Sequence, residues 1–175
     1  TKATTADDYL AMARASVGRQ GRAQTVIKLV DQSLSLRNSS SGYSLRGVAK
    51  SHTGDVQGSI RDLNRAIDIE PGKHYLYTNR GESKRQAMDY QGAIADLSKS
   101  IELNPQDRLA YYNRGLAKAL GLGDLQGAIA DYNKAIEIDP QDASSYINRG
   151  LSRYELGDYY AAIADLSRAI EIEPK

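Results

Sequence analysis

One short hydrophobic pattern returns four times along the chain: Gly58-Ser-Ile-Arg-Asp-Leu63, Gly92-Ala-Ile-Ala-Asp-Leu97, Gly127-Ala-Ile-Ala-Asp-Tyr132 and Ala161-Ala-Ile-Ala-Asp-Leu166. In the second copy Ile94, Leu97 and Ile101 fall at i, i+3 and i+7, which is one face of an α-helix. Helix-forming residues fill the remaining positions. Each run ends at a proline, and Pro71, Pro105, Pro140 and Pro174 are 34, 35 and 34 residues apart. Proline lacks the amide proton that the helix needs and crowds the preceding turn, so each run is predicted to stop there.

A second pattern precedes each of these runs. It reads Tyr43-Ser-Leu-Arg-Gly47, Tyr77-Thr-Asn-Arg-Gly81, Tyr111-Tyr-Asn-Arg-Gly115 and Tyr146-Ile-Asn-Arg-Gly150. Between the two halves lies a turn: Gly54-Asp55, Met88-Asp89, Gly123-Asp124 and Gly157-Asp158. Each unit is therefore predicted to be a helix, a tight turn and a second, antiparallel helix. A mid-helix glycine costs about 1 kcal/mol relative to alanine. Its return in Gly47, Gly81, Gly115 and Gly150 predicts close helix approach at that level. A lone hairpin cannot bury its outer apolar face, so neighbouring hairpins must stack.

Aromatic residue, small residue four later, Gly-Asp turn, Ala-Ile run and terminal proline together resemble the tetratricopeptide repeat. The resemblance covers residues 40–175, with repeats over 40–73, 74–107, 108–142 and 143–175. A degenerate copy over 7–39 precedes them: Asp7 to Val17, a turn at Gly21, then Val26 to Asn38, with Arg14 standing where the small residue belongs. The resemblance implies a single all-α array over 1–175, a right-handed superhelical solenoid of antiparallel helix pairs whose first helices line the concave side. The Asn-Arg-Gly and Gly-Ala-Ile-Ala-Asp wording resembles bacterial, particularly cyanobacterial, members.

Two departures carry structural expectations. Met88 replaces the turn glycine, so that turn must either avoid a left-handed backbone or bear its cost. The 108–142 repeat holds one extra residue within Ala119-Leu120-Gly121-Leu122, which should lengthen or bulge its first helix.

Composition narrows the function classes. The 175 residues contain 41% hydrophobic side chains, enough for a core, yet no Trp, Phe or Cys and twelve Tyr. The aromatic load thus carries a hydroxyl throughout, suiting half-buried sites better than a dry centre. Charge is balanced, 23 Lys+Arg against 22 Asp+Glu, with a positive lean only in residues 1–50. A nucleic-acid partner calls for a basic excess or stripe, and none is predicted. No apolar stretch approaches the ~20 residues of a membrane span. The opening Thr1-Lys2-Ala3-Thr4-Thr5 has no initiator Met and no signal core, so the chain is expected to be a soluble segment that was processed or cut from a longer protein.

Arg46, Arg80, Arg114 and Arg149 precede Asp62, Asp96, Asp131 and Asp165 by sixteen or seventeen residues, with the turn midway. An antiparallel hairpin sets each pair at one height. The favoured reading is a repeated ion pair latching the hairpin; the alternative is a row of cations for an anionic ligand.

What the resemblance implies about binding falls on the concave residues of the first helices. Asn79, Asn113 and Asn148 could form a ladder, since an amide both donates to and accepts from a peptide backbone; the first copy has Leu45 there. Around them stand Tyr75, Arg85, Tyr112, Leu116, Ile147, Leu151 and Tyr154, apolar and tyrosine-rich in the last two repeats. An apolar groove accepts an extended peptide or an amphipathic helix. The clamp by which some relatives grip chaperone C-termini needs Lys and Asn where this chain has Ser41, Ser44, Leu109 and Tyr112. Catalytic, metal-binding and cofactor roles have no support, because two histidines and no thiol leave the common constellations unbuilt. Gly121 to Gly127 is a repeat turn rather than a phosphate loop.

Three readings follow. The first is a non-catalytic protein-interaction scaffold that takes a peptide or partner protein in its groove. The second is self-association through the C-terminal helix, where no capping helix is seen and Ile163, Leu166 and Ile170 would be uncovered. The third, an RNA-binding helical repeat, needs a basic groove that balanced charge does not supply.

Overall fold

The computed structural model describes residues 4–16 and 22–174. Val17 and Gly21, where the degenerate copy was expected to turn, lie outside the described residues. The chain divides into two compact units, Thr1–Ala87 and Met88–Lys175. The division falls inside the repeat read from the sequence over 74–107. Each unit is all-α among the described residues.

The first unit contains α1 (Ala6–Ser16), α2 (Ala23–Leu36), α3 (Ser40–His52), α4 (Val56–Ile69) and α5 (His74–Gln86). Helix α1 packs on α2 and α3 on α4 as hairpins, while α3 covers α2 and α5 covers α4. Leu10, Ala13, Val26, Val30 and Ala49 make one dry cluster, flanked by Ile27, Leu29, Leu34 and Leu45. Ala66, Ile67 and Leu76 make another. The small residue of the first hairpin is Ala13, fully buried, and not Arg14, which is exposed. Counting from Tyr9, as Gly47 is counted from Tyr43, gives the register that the packing adopts.

The second unit contains α6 (Tyr90–Leu103), α7 (Arg108–Ala117), a π-helical turn (Lys118–Leu122), α8 (Leu125–Ile138), α9 (Ala143–Glu155) and α10 (Tyr159–Ile172). The π turn is where the extra residue goes. One wider turn at the end of α7 absorbs it. Gly121 lies within this turn, and a Cβ there would sit 2.1 Å from the Tyr90 ring carbon Cγ. Tyr132 departs from the half-buried role expected of tyrosine and is among the largest fully buried side chains. Space for it comes from Gly115, where an added Cβ would be 2.7 Å from the ring.

Turns and caps explain the Gly-Asp pairs. Gly54, Gly123 and Gly157 have φ of 85°, 64° and 82°, the left-handed region. Met88 takes φ 62°, so this turn bears the steric cost rather than avoiding it. The aspartate after each of these residues caps the second helix. Asp55, Asp89 and Asp124 accept hydrogen bonds from the amides of Gly58, Gly92 and Gly127, each at 2.9 Å. In the last hairpin alanine replaces glycine, and the Ala161 amide reaches Asp158 at 3.2 Å.

Candidate functional site

The recurring charges close the hairpins. Arg46 donates from Nε and Nη2 to the two oxygens of Asp62 at 2.8 and 2.6 Å. Arg114 holds Asp131 in the same forked way at 3.0 and 2.6 Å, and Arg149 holds Asp165 at 2.9 and 2.5 Å. Such bidentate, charge-assisted pairs combine strength with fixed geometry. Arg80 and Asp96 fall in different units, and their pairing stays an expectation. Each arginine also lies over the ring of the tyrosine three residues earlier, Tyr43, Tyr77, Tyr111 or Tyr146, at 5.3 to 5.7 Å from the centroid. Gly47 and Gly150 let the helices approach closely at this level: a Cβ on either would lie 3.2 Å from the facing backbone oxygen.

Two partners of this cluster had not been singled out from the sequence. A second cation one turn on reaches the same carboxylate: Lys50 to Asp62 at 2.9 Å, Lys118 to Asp131 at 2.8 Å, Arg153 to Asp165 at 2.8 Å. The four-residue spacing of Arg46/Lys50, Arg114/Lys118 and Arg149/Arg153 was legible in the chain. The remaining arginine nitrogen, Nη1, reaches back to the preceding second helix. Its partners are Asp31 for Arg46, Asn64 for Arg80, Ser98 for Arg114 and Asn133 for Arg149. Burial alone favours the neutral Asp62 carboxyl, yet hydrogen bonds from Arg46 and Lys50 outweigh it and lower its pKa. Arg46 is correspondingly raised, first by its bond to Asp62. The guanidinium groups of Arg46, Arg114 and Arg149 are engaged on three sides. They are latches rather than a row of cations awaiting an anion.

The expected binding residues separate by unit. On α5 of the first unit Tyr75 is exposed, while Asn79 and Arg85 are half-buried, Arg85 lying 3.8 Å from Glu82. In the second unit Asn113 is 4% exposed, so its amide cannot meet a ligand from where it stands. Asn148 is half-buried and donates to the Ser144 carbonyl at 2.9 Å and the Tyr112 hydroxyl at 3.2 Å. Tyr112 and Leu116 are half-buried on α7. The outward positions of α9 are apolar: Ile147 is 41% exposed, Leu151 48% and Tyr154 61%. Tyr154 meets the Tyr159 ring edge-on at a centroid distance of 5.3 Å. The structure thus gathers Tyr112, Leu116, Asn148, Ile147, Leu151 and Tyr154 on two helices of one unit.

Among the described residues no group of acidic, His or Cys side chains is arranged for a metal, and no helix is long and apolar enough to cross a membrane. Tetratricopeptide repeat family models match residues 74–107 and 143–175, and a third model, described as a TPR repeat, matches 122–157. The chain is a tetratricopeptide-repeat protein. No curated protein matches the sequence. Among solved structures it is similar to the 41-to-end segment of MamA from Desulfovibrio magneticus RS-1, with TM-score 0.83 at 20% identity, over 99% of this chain and 97% of that one. A crystal structure of MamA gives TM-score 0.79 at 24% identity, over 94% of each chain. YrrB, titled a TPR protein with an unusual peptide-binding site, gives 0.73 at 20% identity, over 98% of this chain and 88% of that one. These likenesses show the fold, the all-α array of antiparallel helix pairs expected from the repeat, and that fold supports a protein-interaction scaffold.

Proposed function

We propose that this tetratricopeptide protein is a non-catalytic scaffold that holds a peptide or partner protein against the first helices of its second unit. The observation that carries this is the row Ile147, Leu151 and Tyr154 on α9. Three large apolar side chains at i, i+4 and i+7 stay in water while Ser145 and Ser152 of the same helix are buried. Exposed, contiguous apolar side chains of this kind mark contact surfaces. Tyr112 and Leu116 extend the row on α7, and Asn148, braced by Tyr112, keeps its amide oxygen for a partner's backbone amide. The peptide-binding site named for YrrB supports the same use of the fold. The α5 surface with Tyr75, Asn79 and Arg85 is a smaller and more polar site within the first unit.

The test compares three variants for capture of native proteins, followed by titration of each purified partner. Ile147→Ser/Leu151→Ser/Tyr154→Ser should lose the partner while keeping its helical circular dichroism. Asn79→Ala/Asn113→Ala/Asn148→Ala should weaken it through Asn148. Arg114→Ala should retain it at a temperature where the variant is folded. A serine triple that binds every partner as tightly as wild type defeats the reading.

A further inference from the structure

The apolar wall proposed above for partner binding is longer than the α9 row. On α7, Leu109, Tyr112, Leu116 and Leu120 fall at i, i+3, i+7 and i+11, one face of that helix and of the π turn that continues it. Leu109 is 48% exposed and Leu120 64%. At 1.5 Å per residue this stripe runs about 16 Å, or about three helical turns. The hydrogen bond from Asn148 to the Tyr112 hydroxyl holds it beside the α9 row, so the two helices present one continuous apolar wall.

The polar groups of this wall decide the backbone of its occupant. Over about 16 Å an extended segment has about five residues, each with an amide and a carbonyl to satisfy. Asn113 is buried, and the Asn148 nitrogen is engaged by Ser144 and Tyr112. Of the amide side chains here only the Asn148 oxygen is left to receive a ligand, far too little for such a segment. An α-helix brings its backbone already bonded, with free amides in its first turn alone. It can meet the wall through side chains while its outer face stays in water.

Charge decides the flanks. Met88–Lys175 holds fourteen acidic side chains against nine basic ones, whereas Thr1–Ala87 holds eight against fourteen. Among the described residues of the second unit, every lysine and arginine is already in an ion pair. Glu155 is exposed and belongs to none of those pairs. Four residues after Leu151 and next to Tyr154, it stands at the end of the α9 row. The uncompensated charge beside the wall is therefore negative. We infer that the occupant of the partner-binding surface proposed above, on which this reading rests, is an amphipathic α-helix of about three turns, apolar on one face and basic along its flanks.

The probe is a fluorescent peptide of leucine, alanine and lysine, about five helical turns long, with leucine on one face and lysine on both sides of it. Anisotropy titration onto the intact chain should show saturable binding, with a gain of helical circular dichroism in the mixture. A central proline, which breaks a helix but not an extended segment, should weaken binding by about tenfold or more. Exchanging the lysines for glutamates should weaken it as well. On the protein, Leu109→Ser/Leu120→Ser should cost about tenfold with unchanged circular dichroism, because both side chains are exposed. Glu155→Lys should cost about fivefold at low salt and little at high salt. A probe that does not bind, a proline or glutamate peptide that binds as tightly, or a Leu109→Ser/Leu120→Ser variant that binds it as wild type overturns the inference. A natural partner that is lost by Ile147→Ser/Leu151→Ser/Tyr154→Ser but not displaced by the probe also overturns it, and leaves the scaffold reading standing.

Discussion

The hairpins α1–α2 and α9–α10 share a backbone plan but are closed by opposite chemistry. In α9–α10 the half-buried Arg149 forks onto Asp165, Arg153 adds a second cation, and Tyr146 lies under the guanidinium. The same positions in α1–α2 are Met12 and Leu29, the second packed on a dry cluster of Leu10, Ala13, Val26 and Val30. Polar ties in that hairpin move to its open end, where the Ser33 hydroxyl donates to the Ala6 carbonyl at 2.7 Å and Arg37 pairs with Asp7. The fold therefore does not require the ionic cluster. What the cluster adds is a third contact, the arginine Nη1 on the preceding second helix, which joins one hairpin to the next.

The ionic latch is disrupted most strongly from the arginine side. Arg114→Ala leaves Asp131, 3% exposed, with Lys118 as its remaining cation. Removing one member of such a pair costs about 3 kcal/mol, to be read as a fall in urea midpoint at unchanged slope. Replacing both members at once, Arg149→Met with Asp165→Leu, copies the first hairpin and should cost far less than Arg149→Met alone. Acid gives a second, smaller effect. Asp62 has a pKa below the ordinary 3.8. Its contribution is therefore present above that value and is lost as pH falls through the folded-state pKa. Urea midpoints measured downward from pH 5 should fall below about pH 4, and Asp62→Asn should flatten that dependence.

Smaller effects belong to the turns. Met88→Gly removes a left-handed non-glycine residue, 76% exposed and so without packing to lose. It should raise stability by about 1 kcal/mol. Gly58→Ala would drive a Cβ to 2.0 Å from the Asp55 carboxylate. The cap would open toward the 3.2 Å seen at Ala161, with a loss of about 0.5 kcal/mol by thermal melt.

Much of this was legible because it recurs. The helix pairs, the Arg–Asp latch and the bulge at the extra residue all follow from comparing copies of one pattern within the chain. Where copies differ, periodicity gave less. The register of the first hairpin depended on which small residue faces α2, and burial of Ala13 decides that. Asn113 shares its triplet with Asn79 and Asn148, yet only packing decides that it is buried while they are half-buried. Tyr132 stands where the other copies have leucine, and the glycine that accommodates its ring, Gly115, lies seventeen residues away on the facing helix.

The most direct test of the latch as architecture is a double-mutant cycle on Arg149 and Asp165, read by urea denaturation with partner binding measured alongside. Arg149→Met alone should be severely destabilising, adding Asp165→Leu should restore most of the loss, and partner affinity should be unchanged in every folded variant. Additive losses from the two substitutions, or a fall in partner affinity that tracks Arg149 rather than stability, would contradict it.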